Sequence, residues 1–215
     1  MYLYNIHTHA VEPSVDYQVR CILNTYPEDF YEKRELYPDS WFSCGIHPWN
    51  AEGSEGQIEV LKKIAELPGV VAIGEAGLDK LKGAAMPVQM ETFRRQIGLA
   101  IAVRKPLIIH CVKAWDELIA LYKEYEYGEI PWIIHGYRGN QEQTKQLSKI
   151  GLKFSIGEKF NRDALKYIPP ADIFCETDTS DVTICKVYEN ISEVIGLNKN
   201  HFATLVAGNV NRTFK

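Results

Sequence analysis

The stretch VVAIGEAGLDKLKGAAMPVQMETFRRQIGLAIAVRKPLIIHC, residues 70–111, decides the fold. An apolar run at 70–75 is followed by Pro87, then by Phe93, Ile97, Ala100 and Ile101 at spacings of three and four, and then by a second apolar run at 106–111. This reads as a strand, an amphipathic helix over 88–103 and another strand, the repeating unit of a parallel sheet.

The same pattern extends in both directions. Strands are expected at 2–8, 18–24, 40–46, 131–136, 152–156 and 172–178, and helices at 27–37, 54–67, 114–126, 140–149, 160–167, 183–196 and 200–214. Eight strand runs separated by helical stretches predict an α/β fold, a compact (β/α)8 TIM barrel, with residues 1–215 as a single domain. The first repeat is expected to be distorted, because few residues separate the first two strands and Glu12-Pro13-Ser14 lies among them. A loop or single turn fits there in place of a crossover helix.

The composition, 46% hydrophobic and 24% charged, is that of an ordinary globular chain. A net charge of −4 excludes a surface that grips polyphosphate over its whole extent, so contacts to nucleic acid must be local. The five cysteines include no C-x-x-C pair and are odd in number, which predicts reduced thiols and a cytoplasmic location. No leader-like segment and no run of 18 apolar residues suggest secretion or a membrane partner, and no obligate protein partner is evident.

Catalytic groups of such a barrel stand at the C-terminal ends of its strands. Strand one ends at His7 and His9, which alternation places on one face, and strand three runs into His47. Later strands end at Glu75, His110, His135 and Asp178. His-x-His alone reads equally as two histidines near a terminus. Four histidines with two carboxylates exceed the needs of one tetrahedral ion and point to two divalent ions bridged by a carboxylate, with Glu75 placed to bridge. Zinc, manganese, iron and magnesium all suit that donor set.

These residues resemble the TatD-like metal-dependent deoxyribonuclease family of the amidohydrolase-like metallohydrolases. The similarity runs through Asn-Ile-His-Thr-His (5–9), Gly-Ile-His-Pro (45–48), Ala-Ile-Gly-Glu-Ala-Gly-Leu-Asp (72–79), Pro-Val-Gln-Met-Glu-Thr-Phe-Arg-Arg-Gln (87–96), Ile-Ile-His-Cys (108–111), Ile-Ile-His-Gly (133–136) and Cys-Glu-Thr-Asp (175–178). The resemblance implies a TIM-barrel phosphodiesterase with a two-metal centre, in which His7, His9, Glu75, His110, His135 and Asp178 match the ligand positions. The chain departs from the family pattern at Asn5 in place of Asp, at Ala10-Val11, at Lys113 in place of Arg, at Tyr137-Arg138-Gly139 and at Thr179-Ser180-Asp181-Val182.

The expected function is metal-dependent hydrolysis of ester bonds, acting on DNA as a deoxyribonuclease that works from strand ends. Asp178 and Glu75 are the expected catalytic carboxylates, Asp178 as general base and Glu75 across both ions, with His7 and His9 on one ion and His110 and His135 on the other. His47, Lys113 and Arg138 are candidates to touch substrate. Asp79 is expected to order a loop or support a ligand rather than to bind metal. Trp49, Trp115 and Tyr137 are candidates to line the mouth. Two other readings stay open: the same centre acting on a small-molecule lactone, amide or aminoacyl ester, and a metal-binding chain without turnover.

Overall fold

In a computed structural model of the chain, which describes residues 2–11, 17–125 and 130–214, strands and helices alternate from end to end. The strands are β1 (Tyr2–Thr8), β2 (Gln18–Thr25), β3 (Trp41–Cys44), β4 (Val70–Asp79), β5 (Leu107–Val112), β6 (Trp132–Ile134), β7 (Lys153–Ile156) and β8 (Ile173–Cys175). The helices are α1 (Phe30–Leu36), α2 (Glu55–Ala65), α3 (Met86–Val103), α4 (Trp115–Glu124), α5 (Gln141–Lys149), α6 (Arg162–Leu165), α7 (Ile184–Ile195) and α8 (Lys199–Thr213). The order in the sheet follows the chain, β1 to β8, as expected of the (β/α)8 class. Every expected strand and helix is present. The loop or turn expected in the first repeat falls on residues 12–16, outside the described residues.

The chain forms two compact units, residues 1–23 with 133–215 and residues 24–132. In the first, β1 pairs in parallel with β2, and a bridge from Thr8 to Asp178 joins the end of β1 to the segment after β8. The buried Tyr188 hydroxyl donates to the Tyr4 carbonyl and accepts from the Tyr4 N–H, both at 3.0 Å, which fixes α7 against β1. Asn209 holds α8 against β8 by donating to the Pro170 and Ile173 carbonyls at 2.8 Å. Both contacts satisfy polar groups that would otherwise be buried at a cost.

In the second unit β4 is buried throughout and runs to Asp79, four residues beyond the expected end at Glu75. Gly74 and Gly77 serve a shift in register between Ile73 and Ala76 and a close approach to β5. A Cβ on Gly77, where φ is 147°, would collide with the His110 carbonyl. The glycines therefore let β4 continue beside β5, which carries His110. Glu75 consequently lies within the strand, and Asp79 is its last residue.

Candidate metal centre

α3 explains why the second unit presents its polar groups as it does. Its inner face carries Phe93, Ile97 and Ala100, but also the buried amides of Gln89 and Gln96, seven residues and nearly two turns apart. Gln96 accepts from the Ile46 N–H at 2.7 Å and donates to the Ile46 carbonyl at 3.0 Å, clamping the backbone just before His47. Gln89 accepts from the Asp79 N–H at 2.7 Å and donates to the carbonyls of Asp79 and Ala84 at 2.9 and 2.7 Å. Asn24, also fully buried, accepts from the Glu75 N–H at 2.8 Å. Buried amides thus fix the backbones of Ile46, Glu75 and Asp79.

On that scaffold His47 Nε2 lies 3.2 Å from Glu75 Oε1, and His110 Nδ1 lies 2.8 Å from the same oxygen. His110 Nε2 reaches Asp79 Oδ2 at 3.2 Å. His47 Nδ1 accepts the Trp49 N–H at 3.2 Å, which leaves Nε2 as the nitrogen directed at Glu75. Burial opposes ionisation of Asp79, but the Trp49 indole N–H, the Leu81 N–H and His110 outweigh it and lower its pKa. Ligand atoms of His47, Glu75 and His110 all lie within 4.8 Å of one another, a spacing that can hold one cation.

The first unit has a second cluster. His7 Nε2 and His9 Nε2 lie 3.5 and 3.4 Å from Asp178 Oδ1, and the His7 and His135 rings are 4.4 Å apart. His7, His135 and Asp178 also bring one ligand atom each within 4.8 Å. Asp178 adopts φ 53°, in the left-handed region that aspartate tolerates better than most residues. Its N–H donates to the His7 carbonyl at 2.9 Å and its carbonyl accepts from the His9 N–H at 3.3 Å. Burial opposes ionisation here too, yet hydrogen bonds from His7 and His9 and the charges of His7 and His135 hold the carboxyl well below the usual carboxylate range.

Glu176 completes this cluster. Its buried Oε1 accepts the Gly136 N–H at 2.7 Å and lies 3.4 Å from His135 Nδ1, an arrangement that orients a ligand imidazole. Its Oε2 is buried with no hydrogen-bond partner among the described residues. Beside it is a cavity of about 200 Å³ lined by Arg138, Lys159, Glu158, Asp178 and Ser180 among others. Ser180 donates to Glu158 at 2.8 Å, which ties the unusual loop after Asp178 to the segment after β7.

Each unit therefore gathers its own expected site residues. Glu75 and His110 stand together with His47, which the sequence reading placed at the substrate, and with Asp79. His7, His9, His135 and Asp178 form the other group, and Arg138 lines the cavity next to it. Lys113 is exposed just past β5 with φ 58°. Of the aromatic residues expected at the mouth, Tyr137 is instead core. Its ring packs on Phe154 and its hydroxyl bonds Thr144 at 2.9 Å. Sequence reasoning passed over Asn24, Gln89, Gln96 and Glu176. A glutamine in the apolar stripe of α3 was the signal for two of them.

A profile of TatD related DNases matches residues 14–215, so β1 with His7 and His9 lies before the matched segment. The "3'-5' ssDNA/RNA exonuclease TatD" of Edwardsiella piscicida is 31% identical over 156 residues, which are 67% of this chain and 60% of that protein. The "uncharacterized metal-dependent hydrolase YabD" of Bacillus subtilis is 28% identical over 206 residues, 86% of this chain and 81% of that one. The chain thus spans well under two thirds of several curated relatives it matches. The crystal structure of YjjV, a TatD homologue from Escherichia coli K12, superposes with a TM-score of 0.80 at 22% identity, covering 91% of this chain and 86% of that one. A TatD-family hydrolase from Entamoeba histolytica gives a TM-score of 0.80 at 18% identity over 99% and 97% of the two chains. The profile match covers nearly the whole sequence, and the chain belongs to the TatD related DNase family.

Proposed function

We propose that this chain is a divalent-metal-dependent hydrolase that cleaves phosphodiester bonds of DNA, working from strand ends. The observation that carries the reading is the pair of histidine–carboxylate clusters, each with three ligand atoms within 4.8 Å. Their donor sets fit two divalent ions: His47, Glu75 and His110 would hold one, with Asp79 at its edge, and His7, His9, His135 and Asp178 the other. That the Edwardsiella relative is named an exonuclease supports nucleic acid as substrate.

When bound, such ions supply Lewis acidity to phosphoryl oxygens and lower the pKa of a water. The chain's own groups do the rest. Asp178, kept ionised by His7 and His9, is the general base that accepts the proton of the attacking water. His47 and His110 both hold the Glu75 carboxylate at Oε1. Arg138, which lines the cavity at Asp178 together with Lys159, binds phosphate. Lys113, just past β5, is a further candidate to touch substrate.

We also read residues 1–215 as a single domain, since β2 contributes to both compact units. No helix among the described residues is long and apolar enough to cross a membrane. The cytoplasmic reading is supported by the five free thiols, four of them buried.

The test is digestion of end-labelled single-stranded DNA by the purified chain. Cleavage is expected to stop with chelator, return with manganese or zinc, and drop at least about a hundredfold in Asp178→Asn. Cleavage that is indifferent to both chelator and Asp178→Asn overturns the proposal.

A further inference from the structure

The second unit contains an exposed aromatic that neither cluster needs as a ligand. Trp49 is 43% exposed, yet it is held firmly. Its indole N–H donates to Asp79 Oδ2 at 2.7 Å, and its ring meets His47 edge-on at 4.6 Å between centroids. The loop after β4 closes over the same turn. Asp79 Oδ1 accepts the N–H groups of Leu81 and Lys82 at 2.8 and 3.2 Å, and Gln89 anchors the carbonyls beneath. A Cβ on Gly83, at φ 96°, would come within 2.7 Å of the Pro48 carbonyl and 2.8 Å of Trp49 Cα, so the loop and the turn touch backbone to backbone. This contact brings Lys82 Nζ to 3.4 Å from the centre of the indole ring.

An indole whose N–H is already satisfied internally offers only its face and outer edge to a ligand. Its anchors, Asp79 and His47, are also groups of the cluster around Glu75, so the platform stands beside the proposed chemistry at a fixed position. A rigid aromatic with a flexible cation over it suits a nucleotide: the base stacks on the ring, and the ammonium moves from the ring to the phosphate.

We propose that Trp49 and Lys82 form a base subsite, in which the indole stacks the nucleobase next to the scissile phosphodiester and Lys82 pairs with that nucleotide's phosphate. This rests on the phosphodiesterase reading above and adds a preference for substrates that carry a base at this position. Asp79 acts through Trp49 here, as the group that positions it.

The subsite can be read without turnover. The chain has four tryptophans, so its indole N–H region in a proton–nitrogen NMR spectrum is simple, and the signal lost in Trp49→Phe identifies Trp49. Titration with dAMP is expected to move that signal to saturation. Deoxyribose 5-phosphate, which lacks the base, is expected to bind at least about fivefold more weakly. By calorimetry, Trp49→Leu is expected to bind the two ligands alike, Trp49→Phe to keep most of the preference, and Lys82→Ala to weaken both ligands in proportion. Unchanged melting temperatures exclude misfolding as the cause. A Trp49 signal that ignores dAMP, equal affinity of the wild type for both ligands, or a full preference retained in Trp49→Leu would each overturn the subsite. DNA cleavage without any base preference leaves the hydrolase reading standing and removes the subsite; base-dependent binding without cleavage does the reverse.

Discussion

Asn5 and Thr177 exchange two hydrogen bonds: the Thr177 N–H donates to Asn5 Oδ1 at 3.1 Å, and Asn5 Nδ2 donates to Thr177 Oγ1 at 2.7 Å. The Thr177 hydroxyl in turn donates to Thr8 Oγ1 at 3.2 Å. Asn5 is fully buried, and this chain of bonds joins β1 to the residue before Asp178. An amide is needed because one side chain must both accept from a backbone N–H and donate to a hydroxyl that is already donating elsewhere. The departure of Asn5 from the family's usual Asp thus has a local partner. Asn5→Ala removes the acceptor of the Thr177 N–H and the donor to its hydroxyl in the interior and is expected to cost about 1–3 kcal/mol, read from the shift in denaturant midpoint at unchanged slope.

The two clusters give a prediction about stoichiometry. Wild-type protein is expected to carry two divalent ions per chain by elemental analysis. His110→Ala and Asp178→Ala each remove a ligand from a different cluster, and each is expected to fall to about one ion. Loss of both ions in either variant would show that the clusters do not bind independently.

Gln89 makes its four hydrogen bonds to a stretch of only six residues, Asp79 to Ala84. Gln89→Leu keeps the volume but strands those backbone groups, at roughly 1–3 kcal/mol. Hydrogen exchange at the Asp79 amide is expected to accelerate, while exchange in α8 remains as in wild type.

Gly77 is expected to be intolerant of any side chain. Gly77→Ala combines a φ of 147° with a Cβ aimed at the His110 carbonyl, and a cost of roughly 3 kcal/mol follows from the backbone strain alone. A melting temperature lowered by several degrees, or loss of soluble protein, is the expected result.

Two thiols shielded from solvent set a pH dependence, Cys44 fully buried and Cys111 partly so. Burial pushes Cys44 from 9.0 to about 12, and Cys111 is raised to about 12 by the same cause. Between pH 9 and 12 the unfolded chain has released these protons and the folded chain has not, so the unfolded state binds fewer protons and stability falls as pH rises. Stability from these groups is complete below pH 9 and lost progressively towards pH 12. Native protein at pH 8 is accordingly expected to alkylate slowly at both cysteines, and denaturant to expose five reactive thiols.

Periodicity in the sequence was enough for the eight strands and their intervening helices, because apolar residues repeat at two or at three to four wherever one face is buried. The candidate ligands were legible for a related reason: a histidine or carboxylate that ends an apolar strand is conspicuous. Three things were decided only by tertiary structure. The extent of β4 depended on a register shift and a close approach at Gly77, both of which are relations to β5 rather than properties of the local sequence. The grouping of His47 with Glu75 and His110, and of His135 with His7 and Asp178, depended on distances between residues far apart in sequence. The supports of the site, Asn24, Gln89, Gln96 and Glu176, are ordinary polar residues whose significance lies in burial and in the backbone groups they satisfy. A sequence marks which residues are polar and where they recur; it does not show which buried N–H or carbonyl each must meet, and those pairings hold the site's backbones in place.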